Sequence, residues 1–225
     1  MKRSRINAAI EALREMARQV GFALPPFAEW TPADWAERGH EYDEMREAGL
    51  GWDVTDFGKG DFDRFGLTLI TIRNGRCDDP ASKPYCEKLM LALENQLTPM
   101  HFHWKKTEDI INRGGGRLVC EVHNASEGDG LADTPVVLSL DGRRVEVAAG
   151  TRLTLGAGES ITLTPRVYHA FWAEPGGGPV LLGEVSAVND DAHDNRFLEE
   201  LPRFPGIEED EPARWLLCHE VPPAP

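Results

Sequence analysis

Basic residues are scarce in this chain. Lysine and arginine total 24 against 38 aspartates and glutamates, a formal net charge of −14 over 225 residues. Nucleic-acid binding needs a basic face to neutralise phosphates, and an anionic membrane surface needs the same, so neither partner is expected. Long apolar runs are missing as well. No stretch approaches the roughly 20 apolar residues that cross a bilayer. The N-terminal MKRSRINAAIEALREMARQ is broken by Glu11, Arg14, Glu15 and Arg18 and does not read as a signal peptide. Cysteine is sparse. Cys77, Cys86, Cys120 and Cys218 lie far apart with no CxxC pair, as expected for reduced, mostly buried thiols of a cytoplasmic protein. A hydrophobic content of 41% with 28% charge excludes wholesale disorder. The length suits one domain with a substantial core.

Two helices are expected at the N-terminal end. Ile6, Ile10, Leu13, Ala17 and Val20 recur at spacings of three and four, an amphipathic pattern closed by Gly21 and then Pro25–Pro26. Thr31–Pro32 opens a second helix running toward Gly49 and Gly51, with Asp34 near the positive end of its dipole. From about residue 52 the pattern becomes one of short Val, Ile, Leu and Thr runs separated by Gly, Asn and Asp turns. LTLITIRNG (67–75), YCEKLMLAL (85–93), RLVCEVHN (117–124) and the stretches from 135 to 165 and 167 to 188 read as strands. Asn74–Gly75 and Asp141–Gly142 are hairpin dipeptides, and Gly156–Gly158 makes another turn. Such strands with no helical pattern between them predict an antiparallel sandwich or barrel. The tail from Pro202, with Glu208, Glu209, Asp210 and Glu211, reads as an extended surface segment.

The segment TPMHFHWKKTE (98–108) carries the chemistry. In a strand, His101 and His103 share a face because side chains alternate. Glu108 can return a carboxylate from the next turn or strand, and His169, in PRVYH, offers a further imidazole. Three neutral imidazoles and one carboxylate leave open positions on a six-coordinate ion, where substrate oxygens can bind and be polarised. An HxH alone is a weak signal. HxH followed by Glu, a glycine run and a downstream PxxxH between β-runs is much stronger.

These residues resemble the two cupin motifs, with His101, His103, Glu108 and Gly115 in the first and Pro165 and His169 in the second. Asn95 stands where the first motif usually opens with glycine. Val167 and Ala173 replace the glycine and asparagine usual in the second. A closer resemblance, carried by PMHFHWKKTEDIINRGGG (99–116), GWDVTDFG, LTLITIRNG, EKLM, GEVSAVNDD and DNRF, is to the D-lyxose isomerase family. It implies a mainly β cupin (jelly-roll) barrel with N-terminal helices and an extended C-terminal segment. It implies a single domain over 1–225, divided into a helical segment 1–51, a barrel core 66–190 and a C-terminal segment 191–225. It further implies His101, His103, Glu108 and His169 as ligands of a divalent metal, manganese in that family. The remaining implications are a cytosolic homodimer and interconversion of D-lyxose with D-xylulose and of D-mannose with D-fructose.

Aldose–ketose isomerisation needs a Lewis acid holding O1 and O2 and a base that moves the proton between C1 and C2 through an enediol. Glu184, alone in the apolar run PVLLGEVSAV, is the leading candidate base, since burial would raise its pKa. A paired structural carboxylate is the alternative. Lys88 is the same anomaly with opposite charge, and Lys106 lies between the ligands; either could stabilise the enediolate. Asp190, Asn195 and Arg196 follow the Glu184 strand with Asn189 and Asp191 and are candidates for binding sugar hydroxyls. Capping and a surface salt bridge are the alternative for them. Arg113–Gly116 is a strand-reversing turn, not a phosphate loop, because no helix pattern follows. A ferrous cupin dioxygenase or a non-catalytic sugar-binding regulator are the rival functions.

Overall fold

A computed structural model describes residues 1–201 and 206–225. In chain order its elements are the helices α1 (Arg3–Gln19), α2 (Pro32–Ala36) and α3 (Asp43–Glu47), then β1 (Gly51–Thr55), β2 (Leu67–Arg73), β3 (Tyr85–Ala92), β4 (Thr98–His103), β5 (Glu108–Gly115), β6 (Leu118–Ala125), β7 (Leu131–Ala132), β8 (Val136–Leu140), β9 (Arg143–Val147), β10 (Thr151–Leu155), β11 (Ser160–Leu163), β12 (Val167–Ala173), β13 (Val180–Ala187) and β14 (Asn195–Phe197).

The named strands pair antiparallel in two sheets. One has the order β1-β2-β3-β13-β5-β11-β8-β9, the other β10-β6-β12-β4-β14. This is the mainly β, jelly-roll barrel expected. Strand alternation divides each sequence run between two cores. Met90, Ala92, Ile110, Leu182 and Phe171 point between the sheets. Their neighbours Leu89, Leu91, Ile70, Ile72, Trp52 and Leu181 point outward from the larger sheet. There they meet Ile6, Ile10, Leu13 and Ala17 of α1, all fully buried. Runs such as LTLITI are therefore apolar on both faces because both faces are covered.

Helix α1 follows the predicted stripe and stops where Gly21 takes φ +76°. The Phe22 N–H donates to the Ala17 carbonyl and the Gly21 N–H to that of Arg18, a Schellman ending. The predicted second helix is not continuous. Thr31 caps α2 as expected, with its Oγ1 accepting from the Asp34 N–H and its own N–H donating to Asp34, but α2 ends at Ala36. Beyond it the chain folds around Arg46, which donates to the carbonyls of Arg38, Gly39 and Pro222.

Asp141 and Gly142 both adopt positive φ and join β8 to β9 in a tight hairpin. Asn74–Gly75 does not form a two-residue hairpin. It opens the longer loop between β2 and β3, and the Asn74 side chain is buried. Strands β1 and β14 lie outside residues 66–190, and each lengthens a sheet beyond that stretch. The start of the predicted tail, Pro202, lies outside the described residues. The rest of the tail is more than surface. Glu208 pairs with Lys2, Leu217 pairs with Trp52, and Trp215 and Leu217 are buried against the outer core. No helix among the described residues is long and apolar enough to cross a membrane.

Candidate metal centre and proton-transfer site

His101 and His103 project from one face of β4 into the barrel, and His169 of the adjacent β12 pairs directly with His101. Glu108 comes from the opposing sheet, at the first residue of β5. The four side chains are buried, and one potential ligand atom from each lies within 4.8 Å of all the others. The His101 Nδ1–H donates to the Pro99 carbonyl at 2.7 Å and the His169 Nδ1–H to that of Val167 at 3.1 Å. Each bond fixes the tautomer and leaves the Nε2 lone pair facing inward.

Glu108 Oε1 stands 3.0 Å from His169 Nε2 and 3.3 Å from His103 Nε2. Both of those nitrogens are buried without a hydrogen-bond partner, as is His103 Nδ1. Inward lone pairs beside a carboxylate oxygen repel one another unless a cation lies among them. Protonation would not relieve this. Burial, with the neighbouring imidazoles, holds His101 well below the usual histidine range, and burial lowers His103 too. Neutral imidazoles are the ligand form. Burial alone would push the Glu108 carboxyl up, but the Lys106 ammonium together with the His103 and His169 rings outweighs it and holds Glu108 well below the usual range. The residues fit a divalent cation.

Beside this cluster lies a second group of buried charges. Lys106 Nζ is 2.8 Å from Glu108 Oε2 and 2.9 Å from Glu184 Oε1. Lys88 Nζ, directly across the β3–β13 pairing, donates to Glu184 at 3.2 Å and to Asn189 Oδ1 at 2.7 Å. The Ser186 hydroxyl donates to Glu184 Oε1 at 3.1 Å. Burial therefore does not raise the Glu184 pKa as expected. The desolvation is outweighed by Lys106 and Lys88, and the carboxyl is lowered. Both lysines remain ammonium ions, because the carboxylates outweigh their burial. Lys106 is aimed by Asp194, whose two carboxylate oxygens accept the N–H groups of Lys105 and Lys106.

His101, His103, Glu108, Lys88, Lys106 and Glu184 share a cavity of about 90 Å³ with walls from Met90, Phe171 and Phe197. Of the candidate sugar-binding residues, Asp191 and Asn195 reach it. Arg196 pairs with Phe102 between the His103 and His101 positions, so alternation turns it to the other face of the sheet. Asp190 binds the His193 ring and N–H and lines a wider outer cavity of about 700 Å³. Asp53, which with Asp191 lines both cavities, was missed as a candidate. Asp53 alternates with Trp52 and Val54 in β1, so a strand reading of GWDVT would have turned it inward.

Comparison with known proteins agrees with this geometry. The family model described as D-lyxose isomerase matches residues 1–221. A D-lyxose/D-mannose isomerase of Serratia proteamaculans is 54% identical over 222 residues, covering 98% of this chain and 97% of the relative. The chain belongs to the D-lyxose isomerase family. A second D-lyxose/D-mannose isomerase, of Escherichia coli O157:H7, is 50% identical with 98% of each chain covered. Among solved structures, the L-ribose isomerase of Cellulomonas parahominis superposes with a TM-score of 0.56 at 17% identity, over 89% of this chain and 93% of that one. At that identity the likeness concerns the fold. Family membership makes this chain an aldose–ketose isomerase, and its buried cluster is where this member can hold a metal.

Proposed function

We propose that this chain interconverts free D-lyxose with D-xylulose and D-mannose with D-fructose through an enediol, with manganese as its ion, as a cytoplasmic homodimer. The observation that carries the reading is the buried His101, His103, Glu108 and His169 cluster set beside Glu184 and two ammoniums. A divalent ion held there supplies Lewis acidity toward the sugar's carbonyl and hydroxyl oxygens. Glu184 takes the C2 proton and returns it to C1. Its depressed pKa keeps it in the accepting form at neutral pH. Lys88 and Lys106 offset the negative charge that grows on the sugar as the proton leaves. The compensating transfer from O2 to O1 keeps the proton count unchanged. Apolar walls from Phe171 and Phe197 limit competing water. Asn195 at the rim is the proposed hydroxyl partner, with Asp191 joined to it at 3.1 Å; Asp190 and Arg196 would act only from outside this cavity.

The test is to strip the protein with EDTA, restore manganese and follow ketose formation from free and phosphorylated aldoses. Ketose from D-lyxose and D-mannose, lost on chelation and regained with manganese, is the expected result. Saturable sugar binding without conversion would instead favour a regulatory protein, and oxygen consumption would favour a ferrous dioxygenase.

A further inference from the structure

Asn74 and Asn189 are 115 residues apart in the chain and are joined by a closed pair of hydrogen bonds. The Asn189 N–H donates to Asn74 Oδ1 at 3.0 Å, and Asn74 Nδ2 donates back to the Asn189 carbonyl at 3.1 Å. The second Nδ2 hydrogen goes to the Ala48 carbonyl, also at 3.1 Å. Asn74 is buried, and its amide fills one acceptor and two donor roles toward main chain. Only a primary amide of this length serves all three. It ties together the approach to β1, the end of β2 and the end of β13.

The Asn189 side chain points the other way. Its Oδ1 accepts from Lys88 Nζ at 2.7 Å and lies 3.4 Å from Lys106 Nζ. These are the two ammoniums that contact Glu184. Neither asparagine lines the inner cavity; both line the outer one. We infer that Asn74 and Asn189 are positioning residues for the isomerisation. Asn74 fixes the main chain of Asn189, and Asn189 Oδ1 holds the Lys88 and Lys106 ammoniums in register against Glu184. An ammonium on a four-carbon stem has no fixed direction of its own; Lys106 is already held between Glu108 and Glu184, whereas the Glu184 carboxylate by itself leaves Lys88 free to swing about it. The neutral oxygen of Asn189 supplies a second fixed point without adding a negative charge that would compete with Glu184.

The inference rests on the isomerase reading, and its test is a double-mutant cycle on the full-length, manganese-loaded protein. Asn189→Ala, Asn74→Ala and the double variant are compared with wild type for kcat, KM and melting temperature with D-lyxose. Asn189→Ala leaves the backbone clamp in place and is expected to fold. It should lower kcat at least tenfold with KM within about twofold and the melting temperature nearly unchanged. Asn74→Ala should lower kcat similarly and also melt earlier. In kcat the double variant should be no worse than Asn189→Ala alone, because Asn74 acts through the Asn189 side chain. Wild-type kcat in Asn189→Ala, or losses in kcat that multiply in the double variant, would overturn the inference. An inactive wild type would instead overturn the isomerase reading on which it rests.

Discussion

At the residue scale, the energetics are decided by what each group meets when buried. Glu184 on an apolar strand would be untenable alone, but Lys88 and Lys106 pair it and Ser186 binds one of its oxygens. The position thus serves structure and, in the proposed reaction, chemistry as well. Glu184→Gln keeps the shape and removes the proton acceptor, and should lower kcat by about 10²-fold or more, the span of general-base catalysis. Full turnover in that variant would remove Glu184 from the mechanism. Glycines show the same dependence on surroundings. A Cβ on Gly75 would sit 1.7 Å from the Lys83 carbonyl oxygen, whereas one on Gly128 would meet nothing within 4 Å. Gly75→Ala should cost about 2 kcal/mol or more, and Gly128→Ala should change stability by less than about 0.5 kcal/mol. Denaturant midpoints of the two variants check this. Gly75 is glycine because another main chain passes beside it, which the Asn–Gly pair could not reveal.

At the scale of elements, legibility follows how locally each one is determined. Helix α1 is readable because one stripe, Ile6, Ile10, Leu13 and Ala17, carries its whole packing face. The stretch 31–49 has no such stripe. Its shape depends on Arg46 gathering carbonyls, one of them from Pro222 at the far end of the chain. The acidic tail likewise has its meaning in a partner more than two hundred residues away. Arg3, only 2% exposed, donates to Glu209 and Glu220 and so fastens the C-terminal segment to α1. Burial pushes the Glu220 carboxyl up, but the Arg3 hydrogen bonds and charge, with the hydrogen bond from the Leu217 N–H, together outweigh it and its pKa is lowered. A carboxyl with a depressed folded pKa stabilises fully above its unfolded value and loses that contribution as pH falls through the folded one. Melting temperature should therefore decline below about pH 4.5, the ordinary carboxyl value. Glu220→Gln should start lower at pH 7 and lose less on acidification. Parallel curves for the two proteins from pH 7 to pH 3 would remove Glu220 from the acid response.

At the scale of the whole molecule, the candidate metal ligands come from both sheets. His101, His103 and His169 lie on the smaller sheet and Glu108 on the larger. These four were legible because HxH and PxxxH are local patterns. Asp53 was not legible, nor was the contact of Asn189 with Lys88, because only sheet pairing brings residues 53 and 191 to one cavity and residue 189 to Lys88. The cross-sheet placement has a measurable consequence. Without a cation, the inward lone pair of His169 beside Glu108 opposes closure of the barrel. With one, the same atoms hold the sheets together, and an ion that binds only the folded chain stabilises it by mass action. At a free concentration a hundredfold above the dissociation constant this is about 2.7 kcal/mol. For a chain of this size each kcal/mol moves the melting temperature by about 2–4 °C. Chelation should therefore lower the melting temperature by about 5–10 °C, and manganese should restore it. His103→Ala and Glu108→Ala should abolish the manganese-dependent rise, since they remove ligands from opposite sheets. The Lys106 partner makes Glu108→Ala the harsher change, because it removes the carboxylate 2.8 Å from that buried ammonium. A melting temperature indifferent to chelation and to both substitutions would mean that the cluster holds no ion, and the isomerase reading would fall with it.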